Sequence, residues 1–400
     1  MKTNSVSPYR WVVLFAIVPI IISTEIMWLS LAPIASIAES FYGVNSLSIS
    51  LFSMSYMIMY ILFALPASWV IDRYGFRTSL IIGALITASF GLIRALFAHD
   101  FTVVLISQFI IAIGQPFLLN ISTKVPANWF PLSERSTAAG ILTMAQYIGF
   151  AVPMLVAPII AVDFGIETTF MIFAIVAIIS AILAILFTKE KPAIPPPGPL
   201  VDKESFSLGA IKSLLSNKSY VLVLIVSFIS MGIFNTLLTL IESILLPRGI
   251  TTVQAGIAGA LFVVCGIVGA VVLPIISDKM HRRTPFFITA IALLVPLYLG
   301  LTFISEFALV AAICGIAGFS IMGVAPILFQ YGSESAYPVS EGTSLGLILL
   351  MGQISGAAFV FLFEMLTSST HSIVLPMLLL VLATVVEVPF TMKMKESGYQ

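Results

Sequence analysis

The chain has 400 residues, of which 60% are hydrophobic and 9% charged, with no net charge. Soluble domains carry about 25% charged residues, so the composition excludes a soluble globular protein. The lack of basic excess also gives no footing for nucleic acid or another polyanion.

Twelve apolar runs are long enough to cross a bilayer as helix, which takes about 20 residues. They cover 11–34, 46–71, 78–98, 102–127, 134–161, 165–188, 218–245, 251–275, 285–304, 305–331, 341–366 and 371–392. None alternates polar with apolar residues as the strands of a membrane barrel do. The first run follows Lys2 and Arg10 but is too long for a secretory signal, so it is read as a mature span. With the connections assigned alternately to two sides, every Lys and Arg except Arg94 and Arg248 falls on the side of the termini. The positive-inside rule then places both termini in the cytoplasm of a cell-membrane protein.

Between spans 6 and 7 the composition changes to Lys189-Glu190-Lys191-Pro192 and a run of prolines, Pro195, Pro196, Pro197 and Pro199. Such sequence is a linker. It divides the chain into an N-terminal six-helix bundle (1–190), a cytoplasmic linker (191–217) and a C-terminal six-helix bundle (218–400). Within the linker, 202–217 has the pattern of a surface helix, with Phe206, Leu208, Ile211 and Leu215 as its apolar side.

The halves repeat each other. Asp72-Arg73-Tyr74-Gly75-Phe76-Arg77 follows span 2, and 206 residues later Asp278-Lys279-Met280-His281-Arg282-Arg283 keeps the acid, the base and the trailing Arg. At an offset of 207, Phe130-Pro131 pairs with Tyr337-Pro338, Glu134 with Glu341, Gln146 with Gln353 and Gly149 with Gly356. Pro131 and Pro338 mark turns, with Ser133 and Ser340 as expected helix caps.

The D-R-x-G-x-R loop and its echo resemble the signature of the major facilitator superfamily, an all-α membrane fold of twelve transmembrane helices in two pseudo-symmetric six-helix bundles. The resemblance implies a cytoplasmic gate. Asp72 with Arg73 and Arg77 would face the start of span 11 near Glu341, and Asp278 with Lys279 and Arg283 the start of span 5 near Glu134, an acid meeting a helix N-terminus each time. The sequence departs at Ser68, where the pattern has Gly. Gly114-Gln115-Pro116-Phe117, Trp129-Phe130-Pro131 and especially Tyr337-Pro338-Val339-Ser340-Glu341-Gly342-Thr343-Ser344 resemble the family named after the feline leukaemia virus subgroup C receptors. Its members carry choline, ethanolamine and, by some accounts, haem.

Polar residues inside spans are costly in lipid and mark pathways or partners. Glu25 and Trp28 share one face of span 1, and a carboxylate beside an indole suits an organic cation. Glu25 is also the candidate for proton coupling. The repeat carries Trp28 to Asn235, beside Phe234. In the resembled family an aromatic pair on spans 1 and 7 cages the choline headgroup with help from a glutamine on span 4. Trp28 matches the first and Gln115 the glutamine, whereas the span 7 position holds Asn235. Phe234, Tyr56 or Tyr147 would have to supply the missing wall, and Gln330 is a further binding candidate. Trp28 also fits an interfacial belt, and the glutamines fit interhelical hydrogen bonds. Glu242, Glu364 and Arg94, near outer span ends, read as solvated, and Glu387 reads as a surface residue.

No nucleophile stands beside a base, no phosphate loop is present, and no His or Cys spacing suits a metal, so neither an enzyme nor a cofactor is expected. The reading is a monomeric carrier of a small organic cation such as choline or an amine, by alternating access in the bilayer, with a proton as possible co-substrate. Its alternatives are a proton-coupled carrier of a neutral or anionic metabolite and a non-transporting membrane receptor or scaffold.

Overall fold

The computed structural model describes residues 7–122, 124–193, 208–280, 282–337, 339 and 341–394, with the side chains of Leu208 and Glu341 outside that description. The chain divides into two compact units, Met1–Lys203 and Glu204–Gln400. Every regular element among the described residues is helical.

The first unit contains α1 (Tyr9–Leu29), α2 (Ala35–Tyr42), α3 (Ser46–Tyr74), α4 (Phe76–Leu96), α5 (Phe101–Leu119), α6 (Lys124–Trp129) and α7 (Leu132–Phe187). The second contains α8 (Leu208–Ser216), α9 (Lys218–Leu245), α10 (Thr252–Met280), α11 (Thr284–Phe303), α12 (Phe307–Ser335), α13 (Glu341–Thr370) and α14 (Val374–Met392). Among the described residues, eleven continuous helical stretches are long and apolar enough to cross a membrane. The 56 residues of α7 bend at Gly165, whose φ of 83° suits glycine, so this stretch is two spans and the total is twelve. Large apolar side chains such as Leu62, Leu186 and Phe303 are exposed, as lipid-facing residues are.

Polar caps set the helix starts. Asn45 accepts from Ser48 N at the start of α3, Asp100 from Thr102 N and Val103 N at α5, and Asn217 from Ser219 N and Tyr220 N at α9. Ser133 is not a cap: α7 begins one residue earlier, at Leu132, directly after Pro131. Ser340 lies outside the described residues. Between α3 and α4 the chain turns within one residue, Gly75, at a φ of 91°. The start of α4 is capped from a distance by Glu190, whose carboxylate accepts from Phe76 N at 3.2 Å and Arg77 N at 2.8 Å.

In α8 the apolar side differs from the expectation. Leu214 is buried in the cluster with Tyr220, Phe287 and Tyr331, whereas Leu215 is 54% exposed. Neighbouring positions on a helix point about 100° apart, so burying one turns the other outward. Phe206 lies outside the described residues. A second correction concerns charge. Arg94, Glu242, Glu364 and Glu387, expected in solvent or at the surface, are all buried. Hydroxyl, amide and carbonyl groups of neighbouring helices receive three of them: Arg94 donates to Gln108 and Ser30, Glu242 accepts from Thr252 Oγ1 at 2.8 Å, and Glu387 accepts from Ser230.

Candidate substrate site

Helix α1 carries Pro19, stops at Leu29 and resumes as α2 only after a 3-10 turn at Ala32–Ile34. Pro33 lacks an amide hydrogen, which explains the interruption. Glu25 and Trp28 lie in the last two turns before the break.

Glu25 is completely buried. Gln115 of α5 donates through Nε2 to both carboxylate oxygens, at 3.1 and 3.3 Å. Among the described residues no basic side chain forms an ion pair with Glu25. Helices α1 and α7 approach closely here: a Cβ on Gly149 would lie 2.6 Å from Glu25 Cβ and 2.9 Å from the Ile22 carbonyl. The Gln115 Oε1 is buried without a hydrogen-bond partner, which leaves one unused acceptor beside the carboxylate.

One turn on, the Trp28 indole donates to the Ser53 carbonyl of α3 at 3.0 Å. Its ring stacks with Tyr56 at 6.3 Å and meets Phe150 edge-on at 5.2 Å. The Tyr147 ring in turn lies tilted against Phe150, 5.9 Å between centroids. Glu25, Trp28, Gln115, Tyr56 and Tyr147 therefore converge within the first unit.

The sequence did not single out Phe150 or the group behind Trp28. Arg94 of α4 and Gln108 of α5 are both fully buried and hydrogen-bonded to each other. Gln108 Nε2 also donates to the carbonyls of Met27 at 3.0 Å and Phe52 at 3.2 Å, the residues preceding Trp28 and Ser53. Arg94 further reaches Ser30 Oγ at 3.1 Å and lies 4.4 Å from the Phe170 ring. The last turn of a helix leaves carbonyls without amide partners, and these two side chains supply donors where α1 ends. The available signal was that Arg94 and Arg248 depart from the charge asymmetry.

In the second unit Phe234 stacks with Phe262 at 5.9 Å, and buried Asn235 donates to the Gly352 carbonyl of α13 at 3.3 Å. Gln330 is not beside them. It is exposed and donates to Glu334 at 3.1 Å, and Glu334 pairs with Arg283 at 2.6 Å. Arg283 lies 3.9 Å from Asp278. Lys279, Arg73 and Arg77 are exposed. Asp72 pairs with Lys124 at 3.3 Å, and Glu134 with Arg10 at 2.9 Å. The Glu341 side chain is outside the described residues. Among those residues no cluster of His, Cys, Asp and Glu is arranged to hold a metal.

The profile of the Major Facilitator Superfamily matches residues 7–360. The choline/ethanolamine transporter flvcr2b of Danio rerio is 30% identical over 371 residues, covering 88% of this chain and 76% of its own. The chain belongs to the major facilitator superfamily, in the FLVCR family. The human choline/ethanolamine transporter FLVCR2 is 29% identical over 381 residues, covering 90% of this chain and 72% of its own. Solute carrier family 49 member A3 of Xenopus tropicalis is 29% identical over 376 residues, with 90% and 78% covered. A crystal structure of a bacterial homolog of the human lysosomal transporter Spinster superposes with a TM-score of 0.80 over 97% of both chains, and its 16% identity makes this a likeness of fold. This FLVCR-family protein is thus a membrane transporter, and the polar groups buried in its first unit stand where α1, α3, α5 and α7 meet.

Proposed function

We propose that this transporter carries a small organic cation of the choline and ethanolamine class across the cell membrane, as a monomer with both termini cytoplasmic. Glu25 supports the reading most directly. It is a buried carboxylate with a neutral amide as its polar partner and the Trp28, Tyr56 and Phe150 rings one turn away. An unpaired carboxylate inside a membrane protein lacks its counter-charge, and a substrate cation supplies it. The indole face adds about 1 to 2 kcal/mol once the ammonium is desolvated. The names of the FLVCR2 relatives point to the same substrates. Phe234 and Asn235 are the second half's candidates for the site. Asp72, Arg73, Arg77 and Glu134, with Asp278, Lys279, Arg283 and Glu341, are the candidates for controlling access from the cytoplasmic face.

The test is uptake of radiolabelled choline and ethanolamine into proteoliposomes under an inside-negative potential. Trp28→Ala is expected to weaken apparent affinity about tenfold, the equivalent of 1.4 kcal/mol, with the protein still folded. Glu25→Gln is expected to remove most uptake. Wild-type protein that neither transports nor is stabilised by either cation would refute the assignment.

Glu25 also favours a second reading, in which a proton neutralises it and the substrate is a neutral or anionic metabolite. In that case choline leaves the melting temperature unchanged, and Glu25→Gln abolishes accumulation driven by a pH gradient.

A further inference from the structure

The two halves repeat one interhelical contact with a change of chemistry. In the first, Ser23 of α1 lies 2.9 Å from Ser180 of α7, hydroxyl to hydroxyl. Moving 207 residues along the chain gives Ser230 of α9 and Glu387 of α14, and these two are again hydrogen-bonded. The second half keeps the contact and places a carboxyl where the first has a hydroxyl. Fastening two helices needs only the hydroxyl pair, as the first half demonstrates.

Glu387 is 2% exposed. The groups facing it are Ser230 from α9 and, within electrostatic range, Tyr298 from α11, whose buried hydroxyl has no hydrogen-bond partner. Other charges stand off. Counting about 1.5 Å per residue, Glu364 of α13 sits roughly 10 Å away along the axis of its antiparallel neighbour α14. On the same scale Lys393 lies about 9 Å further along α14, and Tyr220 and Glu242 lie roughly 15 Å or more from Ser230 along α9. No basic side chain among the described residues forms an ion pair with Glu387. A permanently ionised carboxylate in this setting would be a buried charge with no counter-charge beside it, whereas a carboxyl that trades its proton with water fits a partner set of hydroxyls.

We infer that Glu387 is a proton-exchange site of the second half, loading and releasing one proton as water gains and loses access between α9, α11 and α14. On release, the O–H bond of the carboxylic acid breaks, the proton passes to water, and the Ser230 hydroxyl donates to the carboxylate left behind. The inference is independent of the cation reading of Glu25.

Infrared difference spectroscopy on purified protein in sodium-free phosphatidylcholine vesicles tests it, with the pH stepped between mildly acidic and mildly alkaline. The wild type is expected to show a pH-dependent protonated-carboxyl band that persists in Glu25→Gln and is lost in Glu387→Ser and Glu387→Gln. Glu387→Ser recreates the hydroxyl pair of the first half and so keeps the fastener. Should it fail to fold, Glu387→Gln decides. A band unchanged in the Glu387 variants would overturn the inference. So would a Glu25→Gln protein with no pH-dependent carboxyl band, whatever happens at position 387. Failure of choline to bind bears on Glu25 and leaves this result standing.

Discussion

The first span of each half breaks beyond its middle, and the fifth span approaches it through a glycine, yet the residues at the meeting point differ. α1 stops at Leu29, and α9 leaves helical geometry at Leu240. Gly149 rests against Glu25, and its repeat partner Gly356 rests against Asn235, where an added Cβ would lie 2.7 Å from Nδ2. Glu25 itself corresponds to Gly232, over which the Phe359 ring lies, and Trp28 corresponds to Asn235. Backbone approach has survived the duplication, and side-chain chemistry has not. Close helix packing constrains residue size at a few positions, whereas a binding group needs to be present in only one half. The first half accordingly holds the Glu25–Gln115 carboxylate–amide contact, the indole and the Arg94–Gln108 pair.

Breaking that pair should produce the largest effect. Gln108→Leu takes one acceptor from the buried Arg94 guanidinium, leaving it Ser30 Oγ and the Met27 carbonyl, and takes the amide from the Met27 and Phe52 carbonyls. A buried charged group so deprived costs about 3 kcal/mol. The expected outcome is a clear fall in the unfolding midpoint in detergent. The double variant Arg94→Met/Gln108→Leu removes the charge as well and should recover much of the loss, because matched apolar replacement of a buried polar pair is often close to neutral. A double variant no more stable than Gln108→Leu would show that the group acts through something other than satisfaction of a buried charge.

The two glycines sharpen the comparison at intermediate size. Gly149→Ala drives a methyl into Glu25 Cβ and the Ile22 carbonyl, a side-chain root and a backbone atom that cannot swing away. Overpacking of this kind costs about 1 to 3 kcal/mol, and here it also displaces Glu25 from Gln115. Gly356→Ala first meets the Asn235 amide at 2.7 Å, which can rotate at the expense of its bond to Gly352, and meets Asn235 Cβ at 3.0 Å, looser than the 2.6 Å to Glu25 Cβ and relieved by a small shift. Its cost should approach that of one interhelical hydrogen bond, about 0.6 kcal/mol. Unfolding midpoints of the two variants should therefore differ, with Gly149→Ala the lower. Equal losses would mean that the halves tolerate crowding alike.

Much of this was legible in the residues because the cost of lipid burial is written in composition. Twelve apolar stretches, the charge asymmetry and the repeated Asp72 and Asp278 loops give the fold class without coordinates. Glu25, Trp28 and Gln115 stand out because each is expensive where it lies, although nothing in their spacing says that the amide and carboxylate touch. Arg94 was misplaced for an instructive reason. Position along a span says how near an end a residue lies, not whether a neighbouring helix has broken there and freed carbonyls for it. Pro33 was the clue to that break, 61 residues before Arg94 in sequence. Gln330 has the composition of a binding residue, but its i+4 neighbour Glu334 engages it, and Glu334 is in turn tied to Arg283. Glu387 resembles any acid near a chain end until its contact is compared with Ser23–Ser180.

The smallest expected effect asks how far the repeat extends. Glu190 caps α4 from beyond the last span of its half, through Phe76 N and Arg77 N. Lys189-Glu190 recurs 206 residues later as Lys395-Glu396, the same offset that separates the Asp72 and Asp278 loops, and Lys395 and Glu396 lie outside the described residues. A carboxylate at a helix N-terminus is worth about 1 kcal/mol through its hydrogen bonds and the helix dipole. Glu190→Ala should lower the unfolding midpoint by that order, and the loss should shrink at high salt because the site is partly open to solvent. If the duplication includes the cap, Glu396→Ala should match it in size and in salt dependence, and the double variant should be additive, since the two caps sit on different helices. A Glu396→Ala protein indistinguishable from wild type would place the end of the repeat before residue 396, and would leave the turn before α11 held by its own Ser277–Arg282 hydrogen bond.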